Sequence, residues 1–296
     1  MPELPEVETT IRSLKTKILG RIFFDVWTDF PKQIKRPKSF NQFKKEIKGE
    51  KIQNIWRRGK NIIFTLSKNK SLLIHQKLTG HLLVGKWTFD KGAWHSEIKG
   101  PLQEKTNSYI HLLFTLDNGQ MLALSDLRKF AKAELWTTRD LENSEAMKKL
   151  GPEPLEKNFS FEKFLEALGS YLKLKRKGKI KQVLMDQNII AGIGNIYSDE
   201  ILWRAKIHPF KETSKLKKQD LKNIYRFLKD VLKKSIVLKG ESFSDFRTPS
   251  GEKGEFDSIR KAYQREGEKC SRCKNIIKRV KMGNRSTHFC PKCQKL

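Results

Sequence analysis

Tyr109-Ile110-His111-Leu112-Leu113-Phe114-Thr115-Leu116, then Asp117-Asn118-Gly119, then Gln120-Met121-Leu122-Ala123-Leu124-Ser125, is the stretch on which the fold turns. Two short apolar runs flank residues that tolerate the left-handed backbone of a tight connection, so the whole reads as a β-hairpin. Upstream, Ile52 to Trp56, Ile62 to Leu66 and Leu72 to His75 are further short runs broken by turn residues. Several such strands in succession predict an antiparallel sandwich or barrel between about Arg21 and Trp136. Ahead of it, Val7, Ile11, Leu14 and Ile18 recur at helical offsets, Pro5 suits a first turn and Gly20 provides a stop. A helix therefore opens the chain.

Leu150-Gly151-Pro152-Glu153-Pro154 is hostile to helix and marks the main boundary. Beyond it the apolar period is helical over Phe161 to Leu168, Lys179 to Gln187, Ile196 to Ala205 and about Lys215 to Leu238. Gly240 to Phe256, with Gly240, Gly251, Gly254 and Pro249, predicts a mobile loop, and a small basic module closes the chain. The fold class is α+β: an N-terminal antiparallel β-sandwich with its own helix, then a helical domain and a β-hairpin module. The expected limits are 1–136, an interdomain segment 137–158, 159–239, the loop and connector 240–262, and 263–296.

The 296 residues include 62 Lys and Arg against 33 Asp and Glu, a net charge of +29. Hydrophobic residues at 37% exclude a disordered basic tail, and no apolar run approaches the ~18 residues of a membrane span. The acidic start lacks the basic and apolar regions of a signal peptide. An intracellular protein that meets a polyanion, nucleic acid first, is the expectation. The charge is uneven. Six bases and no acid lie between Tyr171 and Lys181, whereas the first eight residues carry Glu3, Glu6 and Glu8 and no base. Glu6 and Glu8 would favour a helix N-terminus through its dipole, but Glu3 precedes the helix and is less well explained.

All four cysteines fall near the end, as Cys270-x2-Cys273 and Cys290-x2-Cys293. Two such knuckles complete a closed tetrahedral Zn2+ site with no open position for chemistry. Disulfides or unrelated buried thiols fit an intracellular chain and this paired spacing less well. Between the knuckles Lys274, Lys278, Arg279, Lys281 and Arg285 suit contact with phosphates.

Met1-Pro2-Glu3-Leu4-Pro5-Glu6-Val7-Glu8-Thr9 resembles the start of the formamidopyrimidine-DNA glycosylases, bacterial base-excision repair enzymes. Arg57-Arg58-Gly59-Lys60 resembles their lysine turn and Asp126-Leu127-Arg128-Lys129-Phe130 their duplex-probing loop. Leu150 to Leu155 resembles their interdomain segment, Leu184 to Gln187 with Gly192 to Tyr197 their helix–two-turn–helix, and Cys270 to Cys293 their zinc finger. Departures stand at Leu78, where Met is common, at Lys129, Ala131 and Gln264, and at Tyr109, where a histidine is common and His111 lies two residues on.

The resemblance implies a bifunctional glycosylase and AP lyase that excises oxidised purines from duplex DNA, with damaged bases or abasic sites as its substrate. One structural zinc is the only cofactor, and a monomer in the bacterial cytoplasm, at the nucleoid, is expected. With Met1 removed, Pro2 offers a secondary amine, and terminal amines have a pKa near ~8 against ~10.4 for lysine. Its attack on deoxyribose C1′ would leave an iminium ion, which acidifies C2′ and permits elimination of both phosphates. Glu3 would move protons and Glu6 would hold the N-terminal turn. Lys60 would assist β-elimination, and Arg285 δ-elimination and phosphate binding. Leu78 and Phe130 would wedge into the gap left by the extruded nucleotide and Arg128 would face the orphaned base. Tyr109, His111, Arg176, Lys181 and Asn195 are the remaining expected DNA contacts. Two alternatives are an endonuclease VIII-like enzyme for oxidised pyrimidines and a non-catalytic zinc-ribbon binder.

Overall fold

The computed structural model describes residues 1–172, 178–242 and 245–296, so the expected contact Arg176 lies outside the described residues. The chain forms two compact units: Met1–Lys148 with Leu238–Asp257, and Lys149–Val237 with Ser258–Leu296.

In the first unit, helix α1 (Leu4–Ile18) precedes β1 (Phe23–Thr28), β2 (Ile34–Arg36) and helix α2 (Phe40–Ile47). Then come β3 (Ile52–Arg58), β4 (Asn61–Leu66), β5 (Lys70–His75), β6 (His81–Gly85), β7 (Trp87–Asp90) and β8 (Ala93–Ser96). The expected hairpin is β9 (Ile110–Leu116) and β10 (Met121–Ser125), followed by β11 (Lys132–Thr137) and helices α3 (Thr138–Asn143) and α4 (Glu145–Lys148). Gly119 at φ +76° turns the hairpin, which closes from the Leu116 N–H to the Gln120 carbonyl at 2.8 Å.

Two sheets result, in the orders β1-β9-β10-β6 and β2-β11-β5-β4-β3. Alternate residues supply one shared core: Leu112, Phe114, Leu122 and Leu124 from the first sheet meet Ile62, Phe64, Leu72 and Ile74 from the second. Val7, Ile11, Leu14 and Ile18, the expected stripe of α1, are buried in that same core. Each such Leu or Ile contributes ~1.5–3 kcal/mol by leaving water.

The unbroken run Leu112-Leu113-Phe114 has a further cause. Leu83, Leu113 and Ala123 point to the outer face of the first sheet, which the β7–β8 hairpin covers with Trp87 and Trp94. A strand buried on both faces loses its polar alternation. That hairpin and α2 were not expected; α2 rests on only Phe40, Phe43 and Ile47 in a basic segment, started by Ser39 as N-cap.

The second unit contains α5 (Phe161–Ala167), α6 (Gly169–Leu172), α7 (Ile180–Met185), α8 (Asn195–Ala205) and α9 (Lys218–Val237), then β12 (Lys278–Met282) and β13 (Arg285–Phe289). Helices α8 and α9 pack together, with the Tyr197 hydroxyl against Ser235 Oγ at 2.5 Å. Two turns join α7 to α8. The Gln187 side chain spans them, donating to the Met185 and Ile193 carbonyls at 2.8 and 2.7 Å and accepting from the Gly192 N–H at 2.9 Å. Gly151 sits where a Cβ would come within 2.5 Å of the Ile189 carbonyl, so the Gly-Pro-Glu-Pro segment seats against these turns only with glycine there.

Candidate active site

The acidic tip is buried, and its carboxylates are committed. Pro2 and Glu3 lie inside the first unit, Glu3 only 2% exposed, while Met1 remains exposed. Glu6, in the first turn of α1, turns back so that its Oε2 accepts the Glu3 N–H at 2.8 Å, the return arm of a capping box. Its Oε1 accepts the Glu241 N–H at 2.8 Å. One carboxylate thus fastens the peptide next to Pro2 to the start of the glycine-rich loop. Gly240 lies so close that a Cβ would meet Glu6 Oε1 at 2.9 Å, at a φ of +84° that favours glycine in any case. Glu6→Ala should lower thermal stability, because each buried N–H that loses its acceptor costs ~1–3 kcal/mol. Glu6→Gln, which keeps one acceptor, should lose about half as much by calorimetry.

Glu8 serves a different purpose from the expected dipole contact. Its carboxylate pairs with Arg57 Nε at 3.3 Å and with Arg12 at 2.9 Å. Arg57 in turn donates to the Gly59 carbonyl at 3.0 Å. The first helix and the turn that carries Lys60 are thereby tied, and Lys60 is itself buried. Beside them stands His75, which sequence reasoning passed over as an ordinary strand residue. Burial first, then Lys77, Lys132 and Lys60, hold its imidazole down to about 3, so it is neutral at physiological pH. Its Nδ1 accepts the Lys77 N–H at 3.0 Å, which leaves the ring proton on Nε2 as a donor.

Thr79, the neighbour of Leu78, and the loop of residues 126–130 are joined through the buried Asp126 carboxylate. Asp126 Oδ1 accepts from the Thr79 hydroxyl and, at 3.3 Å, from the Arg128 N–H, while Oδ2 accepts the Ala131 N–H at 2.7 Å. Thr79 Oγ1 also accepts the Arg128 N–H at 3.2 Å. The tip of the loop is apolar yet open to solvent: Leu127 is 51% and Phe130 50% exposed, with the Arg128 guanidinium 4.8 Å above the Phe130 ring. Tyr109 is half-buried just before β9, and His111 faces the Asp29 carboxylate at 2.9 Å.

In the second unit one expectation is corrected. Lys181 is not an open phosphate contact: its side chain is 1% exposed and pairs with Asp199 Oδ1 at 2.7 Å. The same ammonium donates to the Ser286 carbonyl at 2.9 Å and to Thr287 Oγ1 at 3.0 Å, binding α7 and α8 to strand β13. A lysine this deep stays charged only by such partners, and they use up its capacity for an external anion. Arg285, at the start of β13, is exposed. Asn195 heads α8 with Gly194 as its N-cap, and its Oδ1 is buried with no hydrogen-bond partner among the described residues. Glu200 was also missed. It accepts the N–H groups of Lys261, Ala262 and Tyr263 at 2.8–3.0 Å, fixing the segment that leads to the cysteines, and burial raises its carboxyl pKa.

The four cysteine sulfurs lie within 4.8 Å of one another, with Cys273 to Cys290 at 3.4 Å and Cys270 to Cys293 at 4.0 Å. Zn–S bonds of ~2.3 Å give tetrahedron edges of nearly ~3.8 Å, so the sulfurs fit one zinc ion. Burial and the neighbouring sulfurs push the Cys293 thiol up to about 12, and a metal cation offsets such crowding. The site is structural, since all four positions of the tetrahedron are taken by protein. Its module packs on α8, with Arg272 stacked 4.1 Å over Trp203.

Three family profiles match the chain: the formamidopyrimidine-DNA glycosylase N-terminal domain over residues 1–133, the H2TH domain of the same enzymes over 150–247, and the zinc finger found in FPG and IleRS over 267–296. With the buried Pro-Glu tip and the four-sulfur site, these define a DNA glycosylase with AP lyase activity. The formamidopyrimidine-DNA glycosylase of Pelotomaculum thermopropionicum is 36% identical over 296 residues, and that of Heliobacterium modesticaldum 38% over 295, each covering 100% of both chains. A solved structure of MutM with carbocyclic 8-oxo-G containing DNA superposes with a TM-score of 0.85 at 34% identity over 100% of both chains. Lactococcus lactis Fpg with abasic-site DNA gives 0.84 at 35% identity, covering 99% of this chain and 100% of that one. The chain belongs to the formamidopyrimidine-DNA glycosylase family. No helix among the described residues is long and apolar enough to cross a membrane.

Proposed function

We propose that the chain excises oxidised purines, 8-oxoguanine and formamidopyrimidines, from duplex DNA and then nicks the strand, with the Pro2 amine as nucleophile. Removal of Met1 frees that amine. Its nitrogen bonds to C1′ of the damaged nucleotide and gives up its proton, the C1′–base bond breaks, and the base leaves with a proton supplied through Glu3; the C1′–O4′ bond then breaks, O4′ takes a proton through Glu3, and the sugar ring opens. The resulting iminium accepts the electron pair released when C2′ loses a proton, expelling the 3′ phosphate; a second elimination expels the 5′ phosphate. Lys60 assists the first elimination and Arg285 the second. Leu78 and Phe130 fill the vacated stack and Arg128 faces the unpaired base, while Tyr109, His111 and Asn195 contact the backbone.

The observation that carries this reading is the double use of Glu6, which fastens the peptide beside Pro2 and the glycine-rich loop with one buried carboxylate. A nucleophile needs such fixed placement, since misplacement by ~1 Å can cost ~100-fold in rate. The half-exposed Phe130 and Leu127 support the wedge, because large apolar side chains otherwise leave water. The substrate class rests on relatives whose structures hold 8-oxo-G and abasic-site DNA. Work on chromosomal DNA would place the protein at the nucleoid, as a monomer. Single-turnover excision from duplexes with 8-oxoguanine opposite cytosine or with thymine glycol tests the reading. The purine lesion should be released at least ~10-fold faster; a preference for thymine glycol would overturn the assignment in favour of the endonuclease VIII-like alternative.

A further inference from the structure

Three adjacent strands of the second sheet end at one edge. Lys132 begins β11 directly opposite His75, the last residue of β5. Next to β5, strand β4 begins at Asn61, one residue beyond Lys60 and one step past the Ile62–Ile74 pair. Lys77 follows His75 by two residues and is held back over it by the N–H to Nδ1 bond of 3.0 Å. Its φ of +56° is a left-handed conformation that a lysine adopts only at some cost. Three lysines, Lys60, Lys77 and Lys132, are therefore gathered about His75.

The two lysines nearest His75 differ in their partners. Glu134 pairs with Lys132 at 2.7 Å and also accepts from Trp136 Nε1 at 3.2 Å. Among the described residues no carboxylate lies within ion-pair distance of the Lys77 ammonium. The cost shows in the neighbours. His75 is kept neutral by burial and then by the three lysines, and burial with Lys132 lowers the Lys77 pKa, against the pull of Glu134. The Lys77 ammonium, without an ion pair of its own among the described residues, stands in the field of Lys132, and a bound anion relieves that repulsion.

We propose that Lys77, backed by Lys132, is a phosphate-binding subsite for the DNA backbone, next to Leu78 and on the same sheet edge as Lys60. It rests on the reading of the Pro2 site as acting on duplex DNA and adds a contact that reading does not contain. Lys77 takes the phosphodiester; Lys132, already held by Glu134, adds field behind it. The left-handed Lys77 backbone aims the lysine and the following Leu78 from one turn, so backbone grip and base-stack insertion share a support.

The test is the salt dependence of binding to a duplex carrying a tetrahydrofuran abasic analogue, followed by fluorescence anisotropy across a series of KCl concentrations. Each phosphate neutralised contributes ~0.9 to the slope of log K against log [KCl]. Lys77→Gln should reduce the slope by about that amount, as should Lys77→Met, which keeps the alkyl stem should the glutamine variant fold poorly. Lys77→Arg should restore it. Lys68→Gln, in the turn at the far end of β4 and β5, should leave the slope at the wild-type value. A wild-type slope in both charge-removing Lys77 variants would overturn the subsite, and so would an equal drop in Lys68→Gln, which would mean only a general field. If the wild-type chain shows no salt-dependent binding at all, the DNA reading fails first and the subsite with it.

Discussion

A chain that keeps Met1, or whose terminal Pro2 is acetylated after Met1 removal, should give no borohydride-trapped adduct with an abasic duplex, a loss on the order of 10,000-fold or more. Borohydride reduces only an iminium, so the assay reports the C–N bond itself. Methionine at the terminus would put an amide where the amine must be, and an amide nitrogen has no available lone pair. Binding of the same duplex should persist, because the phosphate contacts expected of Arg285 and Asn195 come from the second unit. The controls separate the competing nucleophile. Lys60 is buried at the turn tied to α1 through Arg57 and Glu8. Were it the attacking amine, trapping would survive a blocked terminus and vanish in Lys60→Gln. Full trapping by blocked chain would refute the Pro2 mechanism.

The second large effect is loss of zinc. Structural zinc sites hold ~10–16 kcal/mol of binding free energy, which in so small a module is folding free energy. A chelator, or Cys290→Ser, should release one zinc per chain and raise hydrogen exchange throughout β12 and β13. The consequence should reach α8. Lys181 would keep Asp199 but lose the Ser286 carbonyl and Thr287 hydroxyl that complete its shell. A buried ammonium short of partners costs several kcal/mol, so the unit should loosen beyond the finger itself. DNA affinity should fall at least ~100-fold with the exposed bases of the hairpin, whereas the sandwich, whose core contains no residue of the finger, should keep its β-sheet circular dichroism. A chain without bound metal and with β12–β13 still protected would contradict the structural role.

How far these features were legible differs by kind. The helix α1, the Asp-Asn-Gly hairpin and the cysteine knuckles were legible because each is decided by neighbours along the chain: a 3.6-residue stripe, a turn that only certain residues adopt, a pair of thiols two apart. The β7–β8 hairpin was not, since its strands are short and its tryptophans are explained only by the outer face of a sheet built from distant residues. His75 shows the same limit within the site. Its near neighbour Lys77 is only part of what sets its charge state; burial comes first, and Lys132 and Lys60 reach it from the flanking strands.

The sequence by itself determined the acidic Pro-Glu tip, the order of the motifs, the zinc ligands and the excess of positive charge. These are properties of residue type and short spacing, and they are the same in the unfolded chain. Only the tertiary structure decided what each charge does. It turned Glu6 into a fastener of two remote peptides and Glu8 into the anchor of the lysine turn. It took Lys181 out of reach of DNA and gathered Lys60, Lys77 and Lys132 around one neutral histidine. The physical reason is that a charge acts through burial and through partners within a few ångströms, and strand pairing, not sequence distance, sets both.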